Sequence, residues 1–156
     1  MDAATAPTSV NSTLVGSSFP PTETYRVCAA KIAEFARATG ATSALHTDPD
    51  AARAAGYPDV VAPPTFAVVV AQRAEAAYIA HPGAGIDFTR VVHAQQEFHY
   101  ARPIVAGDAL RTTVHVESIT HRAGITFVTT RAELADAAGA AVATVRSTLA
   151  VRGEGR

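Results

Sequence analysis

The segment that most limits what this chain can fold into is TFAVVVAQRAEAAYIAH, residues 65–81, which follows Pro63 and Pro64. Phe66, Val69, Val70, Arg73, Ala74, Ala77 and Tyr78 recur around one side at helical spacing, and half of the other positions are alanine or valine. Prolines suit a helix start, where an amide hydrogen has no partner in any case. The segment is predicted as a helix of about 17 residues, about 25 Å long at its rise per residue. The turn formers of His81-Pro82-Gly83-Ala84-Gly85 stop it. A helix that is apolar nearly all round is a buried one, so something must cover it.

The last part of the chain supplies the cover. Residues 91–102, 109–120, 124–134 and 141–152 are rich in Val, Thr, Ile and Phe, with turn signals at 106–108, 122–124 and 136–139. They are predicted as four strands in an antiparallel meander. In the second, Leu110, Thr112, Val114 and Val116 alternate with Arg111, Thr113, His115 and Glu117, the pattern of a half-buried strand. One long buried helix and one antiparallel sheet make an α+β layer architecture. Upstream, Tyr25 to Ala29 fits a short strand, and Ile32, Phe35, Ala36 and Thr39 mark a helix over 29–39 with Gly40 as its stop. Residues 41–64 form a long loop with one helical turn at 50–55, opened by Asp48-Pro49-Asp50. Long loops inside compact domains tend to carry function.

At 156 residues the chain is about one domain, large enough to fold without a disulfide or structural metal. Thirteen Lys and Arg against 14 Asp and Glu leave a formal charge of −1, which offers no general attraction for nucleic acid or an anionic membrane. Cys28 is the single cysteine, so paired-cysteine zinc sites are excluded and a reducing cytoplasm fits best. Residues 1–20 lack Lys, Arg and an apolar core run, so they read as a flexible leader rather than a signal peptide, ahead of one domain over 21–153. The longest apolar run, Phe66 to Ala71, is far short of the ~20 residues that span a bilayer. Lys31 is the one lysine and alanine is abundant, which points to a GC-rich bacterial genome.

Phosphate-binding glycine loops, Gly-x-Ser-x-Gly elbows and His-Glu-x-x-His helices do not occur. His93 and His99 share parity with Gln95 and Glu97, and all four are expected on one polar strand face. His115, beside Glu117, and His121 read as surface residues. His46 differs, because it sits in the long loop that leads to the buried helix, and an imidazole titrates near neutrality.

The segment FARATGATSALHTDPDAARAAGYPDVVAPPTF resembles the hydratase segment of MaoC-like (R)-specific enoyl-thioester hydratases and dehydratases, and YARPIVAGDAL resembles the same family's Phe-x-x-Pro-Val-x-x-Gly-Asp-x-Leu, with Tyr100 in the Phe place and Ile104 in the Val place. The resemblance covers about residues 22–152. It implies a hot-dog fold, an antiparallel sheet wrapped around one long buried central helix, and no cofactor or metal. It also implies chemistry in which an Asp and a His five residues later activate water, while a backbone N–H at the start of the central helix polarises the thioester carbonyl. Here the Asp position is Ala41, the Asn position Ser43 and the Pro position Ala44; His46 and Asp48 match. Alanine cannot accept a proton, so His46 is left as the candidate catalytic residue, with Asp48 as possible support. Pro64, Thr65, Phe66, Val69, Val70 and Tyr78 are the candidates to bind, line or back an acyl path. The chain looks most like the non-catalytic member of paired (3R)-hydroxyacyl-ACP dehydratases, which implies an acyl-CoA or acyl-ACP ligand and either a second copy or a catalytic MaoC-like subunit as partner. Two alternatives stay open: a self-sufficient hydratase using His46, and a non-catalytic acyl-thioester-binding protein. A hot-dog thioesterase fits less well, because the central helix carries no carboxylate except Glu75.

Overall fold

The computed structural model describes residues 9–21 and 23–153. Strands β1 (Ser18–Phe19) and β2 (Tyr25–Arg26) lead to helix α1 (Ala29–Thr39), then α2 (Pro49–Ala54) and the central α3 (Ala67–Ile79). Four long strands follow, β3 (Val91–Tyr100), β4 (Ala109–Arg122), β5 (Ile125–Ala135) and β6 (Ala141–Arg152).

Local chemistry accounts for the helix bounds. Gly40 ends α1 in the left-handed region at φ 70°, where glycine has no Cβ to clash. Helix α3 has 13 residues rather than about 17, because Pro63 to Phe66 form a turn in which Phe66 N–H donates to the Pro63 carbonyl at 2.9 Å. Its burial is also narrower than the composition implied. Ala67, Val70, Ala71, Glu75 and Tyr78 form the buried stripe, whereas Gln72, Arg73, Ala76 and Ala77 stay exposed. Alanine on the outer side made the helix read as apolar all round.

The sheet order is β1-β4-β5-β6-β3, every pairing antiparallel, with β2 on the end of β4. Strands β4, β5 and β6 are the expected meander, but β3 lies beside β6 and not beside β4. The reason is the β3–β4 connection. Residues 101–108 cross to the start of α3, where Ile104 is buried and its carbonyl accepts from Ala62 N–H at 2.8 Å. Arg102 closes this turn with two hydrogen bonds to Asp108, at 2.8 and 3.0 Å. One sheet edge is therefore capped by β1 and β2, while no strand among the described residues pairs the outer edge of β3.

Phe66, Ile32, Ile104, Leu110 and Leu134 centre the main core, and Tyr78, Val116, Val128 and Leu149 a second one. Val10 packs into the second core at 6% exposure, and Asn11 N–H donates to the Ala84 carbonyl at 2.9 Å. The leader expected over 1–20 is thus corrected from residue 9 onward, because burial of Val10 and the pairing of β1 with β4 tie that segment down; residues 1–8 lie outside the described residues. On the outer face, a bulge at Glu117 sets its carboxylate between Arg146 Nε at 2.7 Å and Arg131 Nε at 2.9 Å. Chiefly the Arg146 hydrogen bond holds the Glu117 carboxyl below the usual range.

Two outcomes are expected. Phe66→Ala, which empties the centre of the core, costs about 3–5 kcal/mol in a denaturant titration. Glu117 contributes fully above its unfolded value of about pH 4.3 and loses that contribution as pH falls through its lower folded value. Glu117→Gln should therefore flatten stability against pH on the acid side, by less than about 1 kcal/mol since the cluster is partly exposed and screened.

Candidate functional site

The loop after α1 is built from short caps. Ser43 Oγ accepts from Leu45 N–H at 3.3 Å and opens a single 3-10 turn, Ala44–His46. Asp48 Oδ1 then accepts from Asp50 N–H at 2.9 Å and Ala51 N–H at 3.3 Å, and Pro49 takes the first turn of α2. Oδ1 of Asp48 caps its own helix, as an Asp-Pro sequence at a helix start favours, and no hydrogen bond joins Asp48 to His46 among the described residues.

His46 is half-buried, with Nδ1 at 2.6 Å from the carbonyl of Val61. A carbonyl can only accept, so Nδ1 carries the hydrogen, which leaves the lone pair of the neutral ring on Nε2. The same stretch is held by Val61 N–H donating to the Leu45 carbonyl at 2.8 Å. His46 thus ties the loop to the lead-in of α3. An imidazole is present at this site, whereas Ala41 supplies no second group.

The start of α3 is occupied from within. Tyr100 Oη donates to the Pro64 carbonyl at 2.6 Å, and the Ala67 backbone amide faces the same hydroxyl. Burial raises its pKa, and the Ala67 amide opposes part of that rise. In the motif quoted above a phenylalanine holds this place and brings no hydroxyl to the helix start.

Of the residues expected along an acyl path, Pro64 and Thr65 are exposed, Val69 is half-buried, and Phe66, Val70 and Tyr78 are core. None of them lines the main cavity. That cavity, about 880 Å³, lies at the C-terminal half of α3 on the side of β3 and β6. Gln72, Glu75, Ile79, Phe88, His93 and Leu149 are among its walls. Glu75 is 2% exposed, and its Oε1 accepts from the buried Thr130 hydroxyl at 2.7 Å.

His93 was not legible as a cavity residue. A register shift between His93 and Gln95 sets His93 opposite the buried Leu149, and Gln95 opposite Thr148. The extra residue, Ala94, reverses the facing of His93 relative to Gln95. The shared polar face expected for His93, Gln95, Glu97 and His99 is corrected accordingly: His93 turns inward, with Nδ1 3.4 Å from Gln72 Nε2. His115 and His121 serve local structure. His115 lies 2.8 Å from Ser18 Oγ and 3.0 Å from Glu133 Oε2, and His121 lies 2.7 Å from Thr126 Oγ1. Among the described residues no group of three or more His, Cys, Asp or Glu is placed to hold a metal.

A family model described as FAS1-like, dehydratase domain region, matches residues 13–145. The chain belongs to this family. A UPF0336 protein of Saccharopolyspora erythraea is 52% identical to this FAS1-like dehydratase-region chain over 144 residues, 92% of each. A solved MaoC-like dehydratase matches with a TM-score of 0.83 and 31% identity, over 90% of this chain but only 42% of its own. The HadBC (3R-hydroxyacyl-ACP dehydratase) complex of Mycobacterium tuberculosis matches at TM-score 0.79 and 26% identity, over 88% of this chain and 96% of that one. The hot-dog fold implied by the sequence is confirmed by these structures and by the antiparallel sheet on α3. No helix among the described residues is long and apolar enough to cross a membrane.

Asp48→Ala should lower stability by about 1 kcal/mol in thermal unfolding, the usual effect of deleting an N-cap. Tyr100→Phe should cost about 1 kcal/mol or less, the net worth of a lost hydrogen bond.

Proposed function

We propose that the chain is the acyl-binding, non-catalytic subunit of a (3R)-hydroxyacyl-thioester dehydratase, equivalently an (R)-specific enoyl-thioester hydratase, of cytoplasmic fatty-acid metabolism. The observation that carries this reading is that no carboxylate hydrogen-bonds His46 among the described residues. Ala41 stands in the place of the Asp, and Asp48 is engaged with the N-terminus of α2. The Tyr100 hydroxyl adds to it, because it is bonded to the Pro64 carbonyl beside the start of α3, where the motif has a phenylalanine without a hydroxyl.

The partner is a MaoC-like hot-dog subunit that retains the Asp and His, and the open edge of β3 is where it pairs. The direction of β3 supports this. Val91 lies by the cavity at the C-terminal end of α3, whereas Tyr100 lies at the N-terminal end, bonded to Pro64. A partner strand paired antiparallel to β3 runs the opposite way, so its own helix start and catalytic loop come beside Val91 and the cavity of this chain. One subunit then supplies the chemistry and the other the room for the acyl chain. Whether the carrier is CoA or acyl carrier protein leaves this division unchanged.

The test is hydration of enoyl thioesters by the chain alone and after co-expression with a hot-dog subunit carrying the missing Asp. Alone, activity should sit several orders of magnitude below that of the pair, since members of a cooperating acid/base pair do not work singly. A homo-oligomer that is strongly active and loses activity on His46→Ala overturns this reading in favour of the self-sufficient hydratase. Acyl binding without turnover in any pairing favours the pure binding protein.

A further inference from the structure

The cavity at the C-terminal half of α3 has an apolar wall, including Ile79, Phe88 and Leu149, polar side chains that are exposed or half-exposed, among them Gln72, Asp87 and His93, and one buried feature unsuited to a plain alkyl chain. That feature is Glu75. It lines the cavity while being 2% exposed, and Thr130 is its one hydrogen-bond partner among the described residues, through Oε1. Among those residues the Tyr78 hydroxyl is the sole fully enclosed side-chain polar atom without a partner. Oε2 of Glu75 therefore keeps contact with open space, and the space it lines is the cavity.

The floor beneath Glu75 is polar as well. Thr130 pairs across β5 and β6 with Ser147, which is 0% exposed and accepts from Gln96 Nε2 at 2.8 Å. None of these groups hydrogen-bonds Oε2. A methylene chain laid over Oε2 would strip its water and return no hydrogen bond, which is among the costlier events in a binding site. A hydroxyl at the same place donates to Oε2 and replaces that water.

We infer that this cavity is selective for acyl groups bearing a hydrogen-bond donor, a hydroxyl, where the chain reaches Glu75, and that Glu75 is the residue that sets this preference. The inference rests on the acyl-binding role proposed above. It adds a substrate class: hydroxylated acyl chains, with plain chains accommodated only up to the level of Glu75. Thr130 acts as a positioning residue, since its hydroxyl holds Oε1 and leaves Oε2 facing the ligand.

The experiment uses N-acetylcysteamine thioesters lengthened two carbons at a time, each made plain and with a terminal hydroxyl, titrated calorimetrically into the full chain alone and into its complex with a catalytic hot-dog subunit. Plain chains should gain about fourfold in affinity per added methylene and then stall. At that length the hydroxylated member should bind about tenfold tighter than its plain counterpart. Glu75→Leu should abolish the hydroxyl preference and let the plain series continue to gain. If Glu75→Leu does not fold, the wild-type series decides alone. Plain chains that gain steadily past every length, with no hydroxyl preference, overturn the role of Glu75 while leaving the acyl-binding reading intact. Absence of acyl binding to both chain and complex overturns that reading itself.

Discussion

Seating of α3 on the inner face of the sheet is the contact on which everything else depends. Phe66, Val70 and Tyr78 project from one stripe of the helix into cores formed with Leu110, Val114, Val128 and Leu149. Each large side chain buried there is worth about 1.5–3 kcal/mol, and Phe35 and Phe19 extend the packing through ring contacts with Phe66 and Tyr78. Once the helix is fixed, its N-terminal end is joined to the 41–64 loop and to Tyr100, and its C-terminal end to the cavity. The two ends thereby acquire different chemistry. The first is closed by internal hydrogen bonds, and the second is open, mostly apolar and marked by Glu75.

Elements governed by local chemistry could be read from the sequence. The bounds of α1 follow from its apolar spacing and Gly40, and the burial of alternate residues in β4 follows from its period of two. Features set by distant parts of the chain could not. The place of β3 beside β6 depends on where Ile104 is buried, and β1 depends on an edge of β4 that lies nearly a hundred residues later. Nothing in the composition of residues 9–20 signals Val10 as a core residue.

The site divides along the same line. Ala41 and His46 were identifiable because a family pattern exists against which to set them. The capping role of Asp48 was present in Asp-Pro-Asp, which had been read as the opening of a helical turn but not as a claim on the carboxylate. His93 and Glu75 needed the three-dimensional structure. An alternation argument has no means of placing the single extra residue, Ala94, that turns His93 inward. Glu75 is a lone charged letter in an alanine-rich helix until Thr130 is seen beneath it.

The unequal treatment of the two sheet edges has a consequence for how far assembly can proceed. Backbone hydrogen bonding can extend a sheet wherever an edge is free, and a chain with two free edges is open to indefinite addition. Here β1 and β2 occupy the β4 side, so growth by strand pairing is available in one direction only. When two such subunits join through β3, each consumes the other's free edge and the joined sheet ends in capped strands on both sides. The short N-terminal strands thus blunt the β4 edge, as very short edge strands do, and leave β3 as the longer unpaired edge among the described residues.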